Sequence, residues 1–242
     1  MAKKTLNAKN LEALGAERLA ELLIEISAGD AAAKRRLRLE LAGAQSPAEA
    51  AREIRKRLSA IARSRTFVDW QNRRALVDDL ETQRRAIVEQ VAKADVNEAL
   101  DLMWGFLALA NSIFERCDDS SGTVIGIFHA ATSDLGELAK TANTDPKGLA
   151  DHAFQALIEN NYGQFDYLIS ALRPALGEVG LEHLKQRMIA LSKGPVKKLP
   201  ETERRKVGWS SSGPIYEDDI ANRHRASVIH LTTSESYLTS KS

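Results

Sequence analysis

Residues 95–114 read DVNEALDLMWGFLALANSIF, and this stretch decides the fold class. Val96, Leu100, Met103, Leu107, Ala110 and Phe114 recur at three- and four-residue spacing, the period of one helix face. Asp95 stands where an N-cap is needed, just before the first apolar residue. Trp104 and Phe106 widen the stripe. A helix apolar over so much of its circumference is expected to lie between neighbours rather than on a surface.

The same period continues on both sides. Toward the C-terminus, Val124, Phe128, Ala131, Leu135 and Leu138 line one helix, and Ala150, Phe154, Leu157 and Ile158 line the next, which starts at Asp145-Pro146. The run NNYGQFD is a short connection. Phe165, Leu168, Ile169 and Leu172 resume the pattern, Pro174 and Gly177 interrupt it, and Leu181, Leu184, Met188 and Leu191 form a last packed helix. Toward the N-terminus, Leu76, Leu80, Ile87 and Val91 mark a helix over about 70–92. Before it, SPAEAAREIRKRLSAIARSRT opens with Ser46 as cap, Pro47 at the first helical position and Glu49 three residues after the cap, the pattern of a capping box. Its apolar face is Ala51, Ile54, Leu58 and Ile61. Asp30 is expected to cap a helix ending at Gly43, and Leu19, Leu22, Leu23 and Ile26 stripe the one preceding it.

Helix after helix with short links predicts an all-α fold of antiparallel helix pairs. Helix starts near Asp145 and Glu178 lie about one tetratricopeptide unit apart, roughly 34 residues, so the expectation is a repeat-like solenoid of tetratricopeptide or HEAT type. The division expected is a basic N-terminal helical region over 1–93, a repeat-like region over 94–194, a loop over 195–222 docking onto the body through Trp209 and Tyr216, and a short helix with a frayed tail over 223–242.

The single cysteine among 242 residues excludes an intrachain disulfide framework, and no apolar run reaches the roughly 20 residues of a membrane span. A cytoplasmic, non-membrane protein is expected. The net charge of +1 hides a split. Residues 1–75 hold 16 basic against 9 acidic side chains, and the remainder 18 against 24. The surplus concentrates in Lys34, Arg35, Arg36, Arg38, Arg52, Arg55, Lys56 and Arg57, a candidate patch for an anionic partner such as nucleic acid. Glu40, Glu49 and Glu53 interleave, and no aromatic stands among the arginines to stack a base. Any nucleic-acid binding is expected to be weak.

The most chemical run is ERCDDSSGT, residues 115–123. Its residue types suit a junction between two helices, with Ser120 or Ser121 capping the second and Cys117 packed as a small hydrophobe. Two further readings stay open, a ligand or metal site on Asp118 and Asp119, and an enzyme site over 117–120 with His129 as partner base. Of the five histidines, at 129, 152, 183, 224 and 230, none shows metal-ligand spacing. GWSSSG (208–213) departs from a nucleophile elbow, which needs glycine at the position of Ser212 and a strand before the serine. No zinc, phosphate-loop or dinucleotide motif occurs. No cofactor and no metal are implied.

The runs LNAKNLEALGAERLAELLIEIS, DLETQRRAIVEQVA, RCDDSSGTVIGIFH and GWSSSGPIYEDDIANRHR together resemble a bacterial, mostly alphaproteobacterial family of proteins of unknown function. The resemblance covers residues 1–225. It implies a cytoplasmic helical-repeat architecture and carries over no catalytic residue. Members of that family look longer, so ASVIHLTTSESYLTSKS after Arg225 suggests a truncated or frameshifted copy. The function expected first is a non-enzymatic scaffold binding a protein or peptide; nucleic-acid binding and an enzyme at 117–120 are the alternatives.

Overall fold

The computed structural model describes residues 5–193 and the backbone of 206–210 and 213–216. The body is all-helical. The order is α1 (Ala8–Glu12), α2 (Ala16–Ser27), α3 (Ala31–Gln45), α4 (Pro47–Arg63), α5 (Arg73–Ala86), a π-turn (Ile87–Val91), α6 (Val96–Leu107), α7 (Ala110–Phe114), α8 (Thr123–Thr141), α9 (Pro146–Ile158) and α10 (Leu168–Lys193). No described helix is long and apolar enough to cross a membrane.

Helix starts follow local chemistry. The Asp30 carboxylate accepts from the N–H groups of Ala32 and Ala33, Asp95 from Asn97 and Glu98, and Asp145 from Gly148. The Ser46 hydroxyl accepts from Glu49 N–H at 3.1 Å, with Pro47 at the first position of α4. The expected reciprocal bond of a capping box is absent: Ser46 N–H donates to Ala42 and Glu49 turns to Arg52. Nor does α3 end at Gly43. It runs on to Gln45, because a lone glycine inside a helix costs only about 1 kcal/mol and Ser46 supplies a better boundary.

One apolar core runs from Leu39 to Met188. Its centre is α8, which packs against α6 on one side and α10 on the other. Phe128 on α8 lies between Phe106 and Phe114, with ring centroids 5.6 and 5.5 Å away. The expected faces Ala51, Ile54, Leu58 and Ile61 on α4 are all buried. α2 behaves differently: Leu23, Ile24 and Ile26 are exposed, and Leu19 and Leu22 only half-buried.

α10 breaks at Gly177, whose φ of 55° lies in the left-handed region that glycine adopts freely. The helix over 70–92 also departs from expectation. It starts at Arg73 and ends in a π-turn, where Ala92 N–H donates to Ile87 C=O.

Residues 206–216 hold an element that periodicity missed. Lys206–Ser210 (β1) and Gly213–Tyr216 (β2) pair antiparallel, with Trp209 opposite Pro214 and Ser210 opposite Gly213. Valine, tryptophan, isoleucine and tyrosine favour strands, and glycine- and serine-rich spacing favours a hairpin. The tail expected after residue 222, and the loop's docking, lie outside the described residues.

Candidate functional site

The junction over 115–123 is built by backbone pairing. Val68 N–H donates to Arg116 C=O at 2.7 Å and Asp118 N–H to Val68 C=O at 3.2 Å, a short parallel bridge that clasps the loop after α4. Arg73 holds the Asp118 carbonyl at 2.9 Å. The cap of α8 is Asp119: its carboxylate accepts from Val124 N–H at 2.9 Å and Ile125 N–H at 2.8 Å. The serines do something else. Ser120 N–H donates to the Asp118 carboxylate, and the Ser121 hydroxyl meets that of Thr123. A carboxylate with two oxygens satisfies two orphan donors at once, which a serine hydroxyl cannot. Asp119→Ala is therefore expected to cost about 1–2 kcal/mol, and the double change Ser120→Ala, Ser121→Ala less than about 0.5 kcal/mol. Chemical denaturation checks the pair; a larger loss in the double serine variant would reverse the assignment.

Cys117 is buried, and burial, followed by the nearby Asp119, pushes its thiol above the ordinary range. Reactive cysteines have the opposite environment. His129 is not its base. The His129 ring N–H donates to Gly163 C=O at 3.0 Å, and the ring stands edge-on to Tyr167. Among the described residues no group of three or more His, Cys, Asp or Glu is placed to hold a metal. Trp209 and Tyr216 lie on β1 and β2, and their side chains lie outside the described residues. Ser210 does follow strand residues, contrary to expectation, but Gly213 then opens the antiparallel partner strand and not the helix that a nucleophile elbow requires.

The basic helices α3 and α4 are half neutralised. Arg52 pairs with Glu49, Arg55 with Glu98, Lys56 with Glu53, and Arg57 chelates Asp79. Arg35 reaches the same Asp79 at 4.0 Å. Lys34, Arg36 and Arg38 are exposed on α3 and make no ion pair with the described residues. The eight cations thus form no continuous unpaired surface.

A cleft of about 190 Å³ opens between α6 and α9, closed at one end by the 159–165 connection. Trp104 forms one wall, with the His152 ring edge-on at 5.9 Å. Two residues lining it, Trp104 and Asn111, each carry a buried polar atom, the indole N–H and the side-chain oxygen, with no hydrogen-bond partner among the described residues. Buried polar atoms are rarely left unpaired. The connection itself is fully stitched: Asn160 accepts from Phe165 N–H and donates to Asp166, and Gln164 donates to Glu159 C=O. Trp104 and Phe106 read only as an apolar stripe in sequence, and no signal placed Asn111 and His152 beside it.

Residues 5–193 form an all-helical body with a cleft between α6 and α9 lined by both apolar and polar side chains. The chain belongs to a family of unknown function, DUF6880, whose sequence profile matches residues 1–235. No curated protein and no solved structure matches it significantly.

Proposed function

We propose that this chain is a non-enzymatic interaction protein, repeat-like in its helix stacking, and that the α6–α9 cleft takes an extended peptide of a partner protein. One observation carries the reading: Trp104 and Asn111 line the same cleft, and the buried donor of one and the buried acceptor of the other have no hydrogen-bond partner among the described residues. A peptide group offers one acceptor and one donor, and the apolar lining from Trp104, Leu107 and Phe165 suits a side chain beside it. Burial of Cys117 favours this reading over an enzyme at 117–120. Neutralisation of Arg52, Arg55, Lys56 and Arg57 favours it over nucleic-acid binding. The lone cysteine fits a reducing, cytoplasmic setting, and the resemblance fits a bacterial source.

Selection of a random displayed peptide library on the full chain tests the proposal. The selected peptides should bind with roughly micromolar affinity. Trp104→Phe, which keeps an aromatic wall but deletes the N–H and part of the indole, and Asn111→Ala should each weaken them by at least about fivefold to tenfold, the worth of one hydrogen bond. A library that yields no binder, or binders indifferent to both substitutions, would overturn it.

A further inference from the structure

A second cavity, of about 480 Å³, lies between α3, α4, α5 and the loop over 64–72. It shares no residue with the α6–α9 cleft. Three arginines line it: Arg35 from α3, Arg57 from α4 and Arg116 from the clasp. Asp79 is the one carboxylate among the described lining residues.

Arg116 is the unusual member. It is 9% exposed and meets no carboxylate among the described residues. Its guanidinium donates to Thr66 C=O at 3.1 Å and to Ile61 C=O at 3.4 Å, in the last turn of α4. Those carbonyls and the helix dipole make the charge tolerable. They use only part of a five-donor fork, and the Nε–H is buried with no partner. Burial accordingly disfavours the charged form of this side chain. Arg35 Nε–H is likewise buried and unpartnered.

The charge balance defines what fits. Arg57 donates its Nε–H and an Nη–H to one oxygen of Asp79, and Arg35 stands 4.0 Å from that same oxygen. Three arginines against one carboxylate leave a surplus of two positive charges around a space of ligand size. A phosphomonoester dianion matches both the charge and the forked donors. Inorganic phosphate alone would leave the remainder of the lining, Ile61, Phe67, Val68 and Leu76, without a partner. We infer that this cavity binds a small organic phosphomonoester, its phosphate between Arg35 and Arg116 and its apolar body against Phe67 and Leu76.

Calorimetric titration of the full chain with phenyl phosphate at physiological ionic strength tests this. Saturable one-to-one binding is expected, with inorganic phosphate and benzoate each weaker by about tenfold or more. Arg116→Gln and Arg35→Gln should each weaken phenyl phosphate by about tenfold or more, as loss of a charge-assisted pair does. Trp104→Phe should leave it unchanged, which separates this site from the peptide cleft. Should Arg116→Gln fail to fold, Arg35→Gln decides, because the Arg35 side chain is more than one-third exposed and bears little of the core. Absence of saturable binding at millimolar phenyl phosphate overturns the site. Equal binding of benzoate overturns the phosphate class, and binding indifferent to Arg35→Gln overturns the location.

Discussion

Phe128→Ala should lower the unfolding free energy by about 3–5 kcal/mol, the usual cost of truncating a buried phenylalanine. The ring is fully buried at the middle of α8 and touches two other rings, Phe106 and Phe114. Each such pair adds about 0.5–1.5 kcal/mol beyond burial. Phe114 in turn stacks against Tyr162 at 5.1 Å, so the vacancy would reach the 159–165 connection. Against a total stability of about 5–15 kcal/mol, such a loss leaves a marginal protein. Urea denaturation measures it. Phe128→Leu, which keeps most of the volume, should lose less than about 2 kcal/mol. A loss below about 1 kcal/mol for the alanine variant would mean that the ring cluster does not hold the body together.

Gly136→Val should cost about 1–3 kcal/mol or more through overpacking. A Cβ at this position would stand 2.5 Å from the Ala171 carbonyl oxygen, a backbone atom of α10 that no rotamer change can move. Replacing a helical glycine ordinarily gains about 0.5–1 kcal/mol, and here the clash outweighs that gain because α8 and α10 must separate. Gly126 supplies the control on the same helix. It is exposed, and a Cβ there meets nothing within 4 Å, so Gly126→Ala should raise stability by about 0.5–1 kcal/mol. Melting temperatures of the two variants should move in opposite directions. If both rose, α8 and α10 would not be in close backbone contact.

What was legible in the sequence was local. Asp30, Ser46-Pro47, Asp95 and Asp145-Pro146 each announce a helix start, because a cap is settled within three residues. The break at Gly177 was legible for the same reason. The cap of α8 was misread from ERCDDSSGT, since serine and aspartate compete there and only the path of the backbone decides between them. The hairpin over 206–216 was missed because its strands are too short for alternation to register. The two cavities were legible only in part, through Arg35 and Arg57, which read as members of a basic patch, and Trp104, which read as part of an apolar stripe. Arg116 meets Thr66 across 50 residues, and Trp104 meets His152 across nearly as many; no periodicity encodes such encounters. The exposed apolar residues of α2 show the converse limit, a stripe that is present in sequence and left uncovered among the described residues.

The clasp between Val68 and residues 116–118 gives the intervening chain an unusual geometry. The segment carrying α5, the π-turn, α6 and α7 leaves and returns at the same point. Closing an excursion of that length costs about 3.5 kcal/mol of chain entropy. The clasp answers with two backbone bonds and two from Arg116, worth about 1 kcal/mol apiece. Gain and cost nearly cancel, so the clasp cannot draw the chain together by itself. Its closure depends on the packing of α4, α6 and α8, which holds its ends within reach. The arginine-lined cavity beside it therefore shares the stability of the whole body and has none of its own.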